Sequence, residues 1–199
     1  MIITKAAKTS RYIIEKTAPI FNRNGYTGTS LSDITEVTGL TKGAIYGNFK
    51  NKEELALEAF NYIVKYQMDE IKAIINDIES PLAKLFAITN FHRSYYKVCI
   101  EYGGCPLLNV GVDANYTNPA LFTRVKQVVD KLQGSIASII EEGIFKNEIR
   151  NDINAMRYGT RIFSLIEGAI FTAVISKDEN CLIDMMNHVD KMIQTELQV

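Results

Sequence analysis

The chain has no tryptophan, three cysteines, two histidines and four prolines in 199 residues. Cys99, Cys105 and Cys181 are odd in number and follow no zinc-ligand spacing, so neither a disulfide framework nor a structural zinc site is expected. No run approaches eighteen uninterrupted apolar residues, and the first residues lack the apolar stretch and small-residue cleavage site of a signal peptide. These absences point to a cytoplasmic chain with no membrane segment. No phosphate-cradling glycine loop and no nucleophile-with-base arrangement occurs, and Glu141-Glu142 reads as a solvated helical pair. Enzymatic activity is therefore not expected, nor is a cofactor or a metal.

What is present is apolar substance in a helical rhythm. Hydrophobic residues make up 47% of the chain, enough for a substantial core. They recur at three- and four-residue spacing nearly throughout, which predicts an all-α protein of about nine helices. The first helix is expected over roughly 5–23, ending near Asn24-Gly25. Ser30 with Asp33 opens a second that stops at Gly39, Thr41 opens a third to about Asn48, and Asn51 with Glu54 opens a long fourth. Ser80-Pro81 starts a helix expected to reach Tyr102, and Gly103-Gly104-Cys105-Pro106 breaks it. Further helices are expected at 106–113, from Asn118-Pro119 to Lys146, from Asp152 to Ser176 and from Asp178 to Leu197. Charge is uneven: residues 1–54 carry +3 and the remainder −4, within a total of −1. A basic front on an acidic body suits a module that meets phosphates joined to one that does not.

Residues 30–52 have the spacing of a helix-turn-helix. Ile34 and Val37 before the turn, and Leu40 and Ile45 after it, supply the apolar contact, while Gly39 supplies the turn. The third helix is short and offers Lys42, Gly43, Ala44 and Tyr46. Small residues let its backbone approach base edges, and Lys and Tyr can reach phosphates. Free amides at the start of the fourth helix, with Lys52, suit another phosphate.

From Gly25 to Phe60, above all in Ser30-Leu31-Ser32-Asp33-Ile34 and from Leu40 through Leu55, the sequence resembles the TetR family of bacterial repressors. The resemblance implies a DNA-binding domain at 1–53 and a helical ligand-binding and dimerisation domain at 54–199. It implies that Thr29 and Ser30 stand at a phosphate-facing helix start, and that Thr41, Lys42, Gly43 and Ala44 face the groove. Tyr46 would touch the DNA backbone and Lys52 would hold a phosphate. Asn48 joins these candidates, although Gly47-Asn48 stands where many members carry larger aromatic or histidine residues. The implied partners are an operator in double-stranded DNA, a second copy of the chain and a small-molecule inducer of unknown identity.

In the remainder, Ile162, Ile166 and Ile170, with Met186, Val189 and Ile193, form apolar stripes on the last two long helices and are the expected dimer seam. Phe86, Phe91, His92, Tyr95, Tyr96 and Cys99, with Cys105, Leu108 and Phe122, are candidates for the wall of a pocket for a small, mostly apolar ligand. The expected function is a repressor released from a palindromic operator by that ligand. A regulator sensing thiol chemistry or metal through Cys99 and Cys105 is the alternative.

Overall fold

The computed structural model describes residues 4–199, and every element assigned among them is helical. Helix α1 (Lys5–Gly28) starts at Thr4, whose hydroxyl accepts from the Ala7 amide at 3.2 Å. Its first stretch ends where expected, at Asn24-Gly25. Gly25 takes φ +74°, kinking the helix, and one more turn follows to Gly28. Helices α2 (Leu31–Thr38), α3 (Lys42–Tyr46) and α4 (Lys52–Ile75) follow at the capping signals read from the sequence.

The helix expected over 81–102 is two helices, α5 (Pro81–Arg93) and α6 (Tyr96–Tyr102). The cause is local. The Ser94 hydroxyl donates to the Phe91 carbonyl at 3.0 Å, and the Ser94 and Tyr95 amides turn back to residues three earlier. A serine that bonds its own backbone competes with the helical ladder. Then come α7 (Pro106–Thr117), α8 (Pro119–Phe145), α9 (Ala155–Ser176) and α10 (Asn180–Met192), the last running into a π-turn at Ile193–Leu197.

The chain forms two compact units. The first comprises residues up to Gln67 together with Tyr102–Lys126; the second comprises Met68–Glu101 and Gln127–Val199. This division by compactness differs from the functional cut expected after residue 53, because α7 belongs with the N-terminal helices. In the first unit Ile13, Phe21, Ile34, Ile45, Phe49, Leu55 and Phe60 are buried together with Val110 and Leu121. Asn22 on α1 donates to the carbonyls of Tyr102 (2.7 Å) and Gly104 (2.9 Å), and Asn109 on α7 donates back to the Asn22 carbonyl at 3.1 Å. Gly103 and Gly104 hold positive φ here, and any side chain at Gly104 would meet Asn109.

The second unit is an apolar core tied at its rim by polar cross-links. Thr89 on α5 donates to Asp190 on α10 at 2.6 Å, and Arg93 bonds both Asp190 and Asn187. Glu148 accepts from the Ser80 hydroxyl at 2.5 Å and from the Leu82 amide at 3.0 Å. Helices α8 and α9 approach so closely that a Cβ on Gly159 would lie 2.6 Å from the Gln133 carbonyl oxygen. Helix α9 is long and apolar enough to cross a membrane by length and composition. It also carries Arg157, Arg161 and Glu167, and packs one face into the second unit against α10. That is the pattern of a core helix in a globular domain, not of a span.

Candidate nucleic-acid interface

The two helices of the reading head are fixed by short-range bonds. Ser30 and Asp33 form a reciprocal capping box: the Asp33 amide donates to the Ser30 hydroxyl at 3.2 Å, and the Ser30 amide donates to the Asp33 carboxylate at 2.7 Å. These bonds hold the Asp33 carboxyl below its usual range. Gly39 takes φ +66° and its amide returns to the Thr35 carbonyl, ending α2 in a left-handed residue. Thr41 then caps α3 by accepting from the Ala44 amide at 3.2 Å. Its hydroxyl proton stays available for an acceptor outside the protein.

Helix α3 buries Ile45 and exposes Lys42, Gly43 and Tyr46, with Ala44 half-buried. Lys42 and Gly43 stand in the first turn, and the Lys42 ammonium reaches back over the Tyr46 ring at 6.0 Å. No protein atom crowds the space that a Cβ on Gly43 would occupy, with Thr41 Oγ1 the nearest at 3.9 Å. The head therefore presents a small-residue surface flanked by a lysine and a phenol. At the start of α4, Asn51 accepts from the Glu54 amide at 2.8 Å, and Glu54 accepts from the Lys50 amide at 2.5 Å. Lys52 is half-buried, its ammonium lying 4.4 Å from the centre of the Tyr26 ring.

Two of the expected contacts are placed differently. Thr29 is fully buried, and its hydroxyl donates to the Gly25 carbonyl, four residues earlier, at 2.7 Å. Its side chain stabilises the turn and does not face solvent, whereas Ser30 beside it is exposed. Asn48 is half-buried and occupied at both ends: its amide donates to the Ala44 carbonyl at 2.9 Å, and its oxygen accepts from Ser10 on α1 at 3.0 Å. Three further residues shape the head with no signal in the local sequence. Ser10 holds Asn48, Tyr26 lies under Lys52, and Tyr12 donates to the last-turn carbonyl of Thr38 at 3.0 Å. Each acts across a distance in sequence that no cap or periodicity reports.

The candidate ligand wall is divided between the units. Phe86, Phe91, His92, Tyr95, Tyr96 and Cys99 lie in the second, while Cys105, Leu108 and Phe122 lie in the first. Phe91, His92 and Tyr95 form one aromatic cluster, with ring centroids 5.1–5.8 Å apart. His92 Nδ1 lies 2.8 Å from the Ile88 carbonyl, which can only accept, so that nitrogen carries the proton. Burial depresses the His92 pKa to about 4, leaving a neutral ring. Burial pushes the Cys99 thiol up to about 12, with the Glu167 carboxylate adding to the effect. A thiol so protonated is a poor nucleophile, which tells against oxidant sensing at Cys99. Among the described residues, no three His, Cys, Asp or Glu side chains gather as a metal site would require. Ile162, Ile166, Ile170, Met186, Val189 and Ile193 are all buried within the protomer's own second unit. The exposed apolar residues of α9 are instead Met156, Phe171 and Ile175.

The comparisons with known proteins agree with this architecture. Residues 13–59 match the model for bacterial regulatory proteins of the tetR family, and residues 81–189 match the tetracyclin repressor-like C-terminal domain. A TetR-family transcriptional regulator from Cytophaga hutchinsonii superposes with a TM-score of 0.93 at 32% identity, over 100% of this chain and 99% of that one. An HTH-type transcriptional regulator from the lacX 3′ region of Lactococcus lactis subsp. lactis is 26% identical over 92% of this chain and 91% of its own length. The fatty acid metabolism regulator protein of Bacillus subtilis is 22% identical over 91% of each. With a capped helix-turn-helix at the front and the matching helical domain behind it, this chain belongs to the TetR family of DNA-binding transcriptional regulators.

Proposed function

We propose that the protein is a dimeric repressor that sits on a palindromic operator and leaves it when a small, mostly apolar molecule binds. The observation that carries this reading is the exposed first turn of α3, where Lys42 and Gly43 stand clear of the protein between the capping Thr41 and Tyr46. Lys42, Gly43 and Ala44 read base edges; Ser30, Thr41, Tyr46 and Lys52 hold phosphates. Thr29 and Asn48 serve the geometry of the head, since both side chains are already bonded inside it.

One such head spans too few base pairs for specificity, so two must act together about 34–36 Å apart. The partner covers the outer face of α9, where Phe171 and Ile175 are more than half exposed and Ser164 and Gly168 permit close approach. An apolar helix left this open is favoured to bury that face against a copy of itself. The aromatic cluster of Phe91, His92 and Tyr95 forms part of the inducer wall. Structures of the same fold hold different ligands: one from Bacillus subtilis contains stearoyl-CoA, and one from Saccharomonospora viridis contains choline.

Selection of bound duplex from a random pool tests the proposal. A palindrome whose half-sites lie about one helical turn apart is the expected result, and a non-palindromic or absent consensus would overturn it. Sedimentation of Phe171→Arg should show a monomer where the unaltered chain shows a dimer.

A further inference from the structure

Helix α7 places a carboxylate against the reading head. Asp113 accepts from the Thr27 amide at 3.0 Å, just beyond the kink that Gly25 makes in α1. It fills the space over that glycine so closely that a Cβ on Gly25 would lie 2.9 Å from the Asp113 oxygen. The same turn carries Tyr26, whose ring supports the Lys52 ammonium, and Thr29, whose hydroxyl closes onto the Gly25 carbonyl. One acidic side chain thus fixes the turn that leads into the Ser30 cap of α2.

The carboxylate has a second effect through its charge. Lys52 is half-buried on the Tyr26 ring, next in sequence to the Thr27 amide that Asp113 holds, and the charges of Asp113 and of Asp33 in the first turn of α2 both act on it. Asp33 is committed to its capping box with Ser30. Asp113 is the one that comes from outside the helix-turn-helix. A phosphate arriving at Lys52 also meets the negative charge of Asp113.

We propose that Asp113 is a positioning residue of the DNA-reading head, holding the 25–29 turn by its hydrogen bond while its charge lowers the affinity of the Lys52 site for phosphate. The proposal rests on the reading of Lys52 as a phosphate contact. It makes DNA affinity a property of α7 as well as of α2 and α3, although α7 itself need touch no DNA.

The two effects separate in a double-mutant cycle on the full chain, read by titration with a duplex selected from a random pool. Asp113→Asn keeps the size and an acceptor for the Thr27 amide but removes the charge. It should tighten binding by about three- to tenfold at low salt, with the gain fading as salt rises. On a Lys52→Ala background the gain should vanish. Asp113→Glu, which keeps the charge and displaces the acceptor, should give no tightening, and it also reports on the site if the asparagine variant fails to fold. If Asp113→Asn changes affinity by less than twofold while Lys52→Ala weakens it, the charge coupling is wrong and the reading of Lys52 stands. An equal gain from Asp113→Asn with and without Lys52 would also overturn the coupling. If Lys52→Ala alone leaves affinity and its salt slope unchanged, the phosphate reading falls, and this inference falls with it.

Discussion

Residues 30–54 and the second compact unit are both helical, yet they are held by different kinds of bond. In the former the decisive contacts span three or four residues: Ser30 with Asp33, Gly39 with Thr35, Thr41 with Ala44, Asn51 with Glu54. In the latter they span tens of residues, as in Thr89 with Asp190 or Ser80 with Glu148. The head commits its capping groups to its own helix ends, with Ser10 and Tyr12 of α1 adding two longer ties. The body turns its apolar stripes inward and closes over them. A head stabilised by short-range caps keeps its shape while the body's long-range packing is free to diverge around another ligand. The match of one family to both parts, at modest overall identity, fits that division.

The strongest way to break the contrast is to attack the body at its tightest contact. Gly159→Leu would force a side chain into the Gln133 carbonyl and should cost about 3 kcal/mol or more. Urea unfolding with separate probes on each unit would register that loss first in the second unit. The next largest effect is one of pH. His92 is neutral in the folded chain with its pKa depressed to about 4, and in the unfolded chain it returns to about 6.5. The unfolded state therefore binds the extra proton between those values. The contribution is full above about pH 6.5 and is lost as pH falls toward 4, on the order of 3 kcal/mol. His92→Phe should flatten the unfolding midpoint across that window, and an unchanged slope would mean that other groups set it.

Smaller still is the effect of a cap in the head. Thr41→Ala should cost about 1 kcal/mol of stability, read as a lower melting temperature, and weaken DNA binding together with it. Tyr46→Ala with Lys52→Ala sharpens the same side of the comparison. Melting should hardly move, while DNA affinity falls about tenfold or more and the salt slope drops by about one for each phosphate that is no longer neutralised.

The same contrast explains what could be read from the sequence. Caps at Ser30, Thr41, Asn51 and Ser80 and the stop at Gly39 are all legible, because their partners lie within one helical turn. The burial of Thr29 is not, because it depends on which side of the turn after the Gly25 kink packs inward, and no residue of that turn reports it. Nor is the break at Ser94, where one hydroxyl chooses its own backbone over the ladder. The seam expected at Ile162, Ile166 and Ile170 illustrates a further limit. Periodicity finds an apolar face of α9, but that helix has two, and only the packing of α8 and α10 shows which one is used within the protomer.

The bond between Ser10 and Asn48 has a consequence for how such a regulator can change its target in evolution. The two residues are 38 positions apart, one on α1 and one just after α3, and the Ser10 hydroxyl lies within reach of both Asn48 and the Ala6 carbonyl. A histidine or aromatic at position 48 would give up this tie and leave the Ser10 hydroxyl to the Ala6 carbonyl. Substitutions at Lys42, Gly43 and Ala44, the residues proposed to read bases, leave this tie between α1 and α3 intact. A change of operator that uses position 48 also changes how the turn after α3 is tied to α1, so the first helix takes part in retargeting without touching a base.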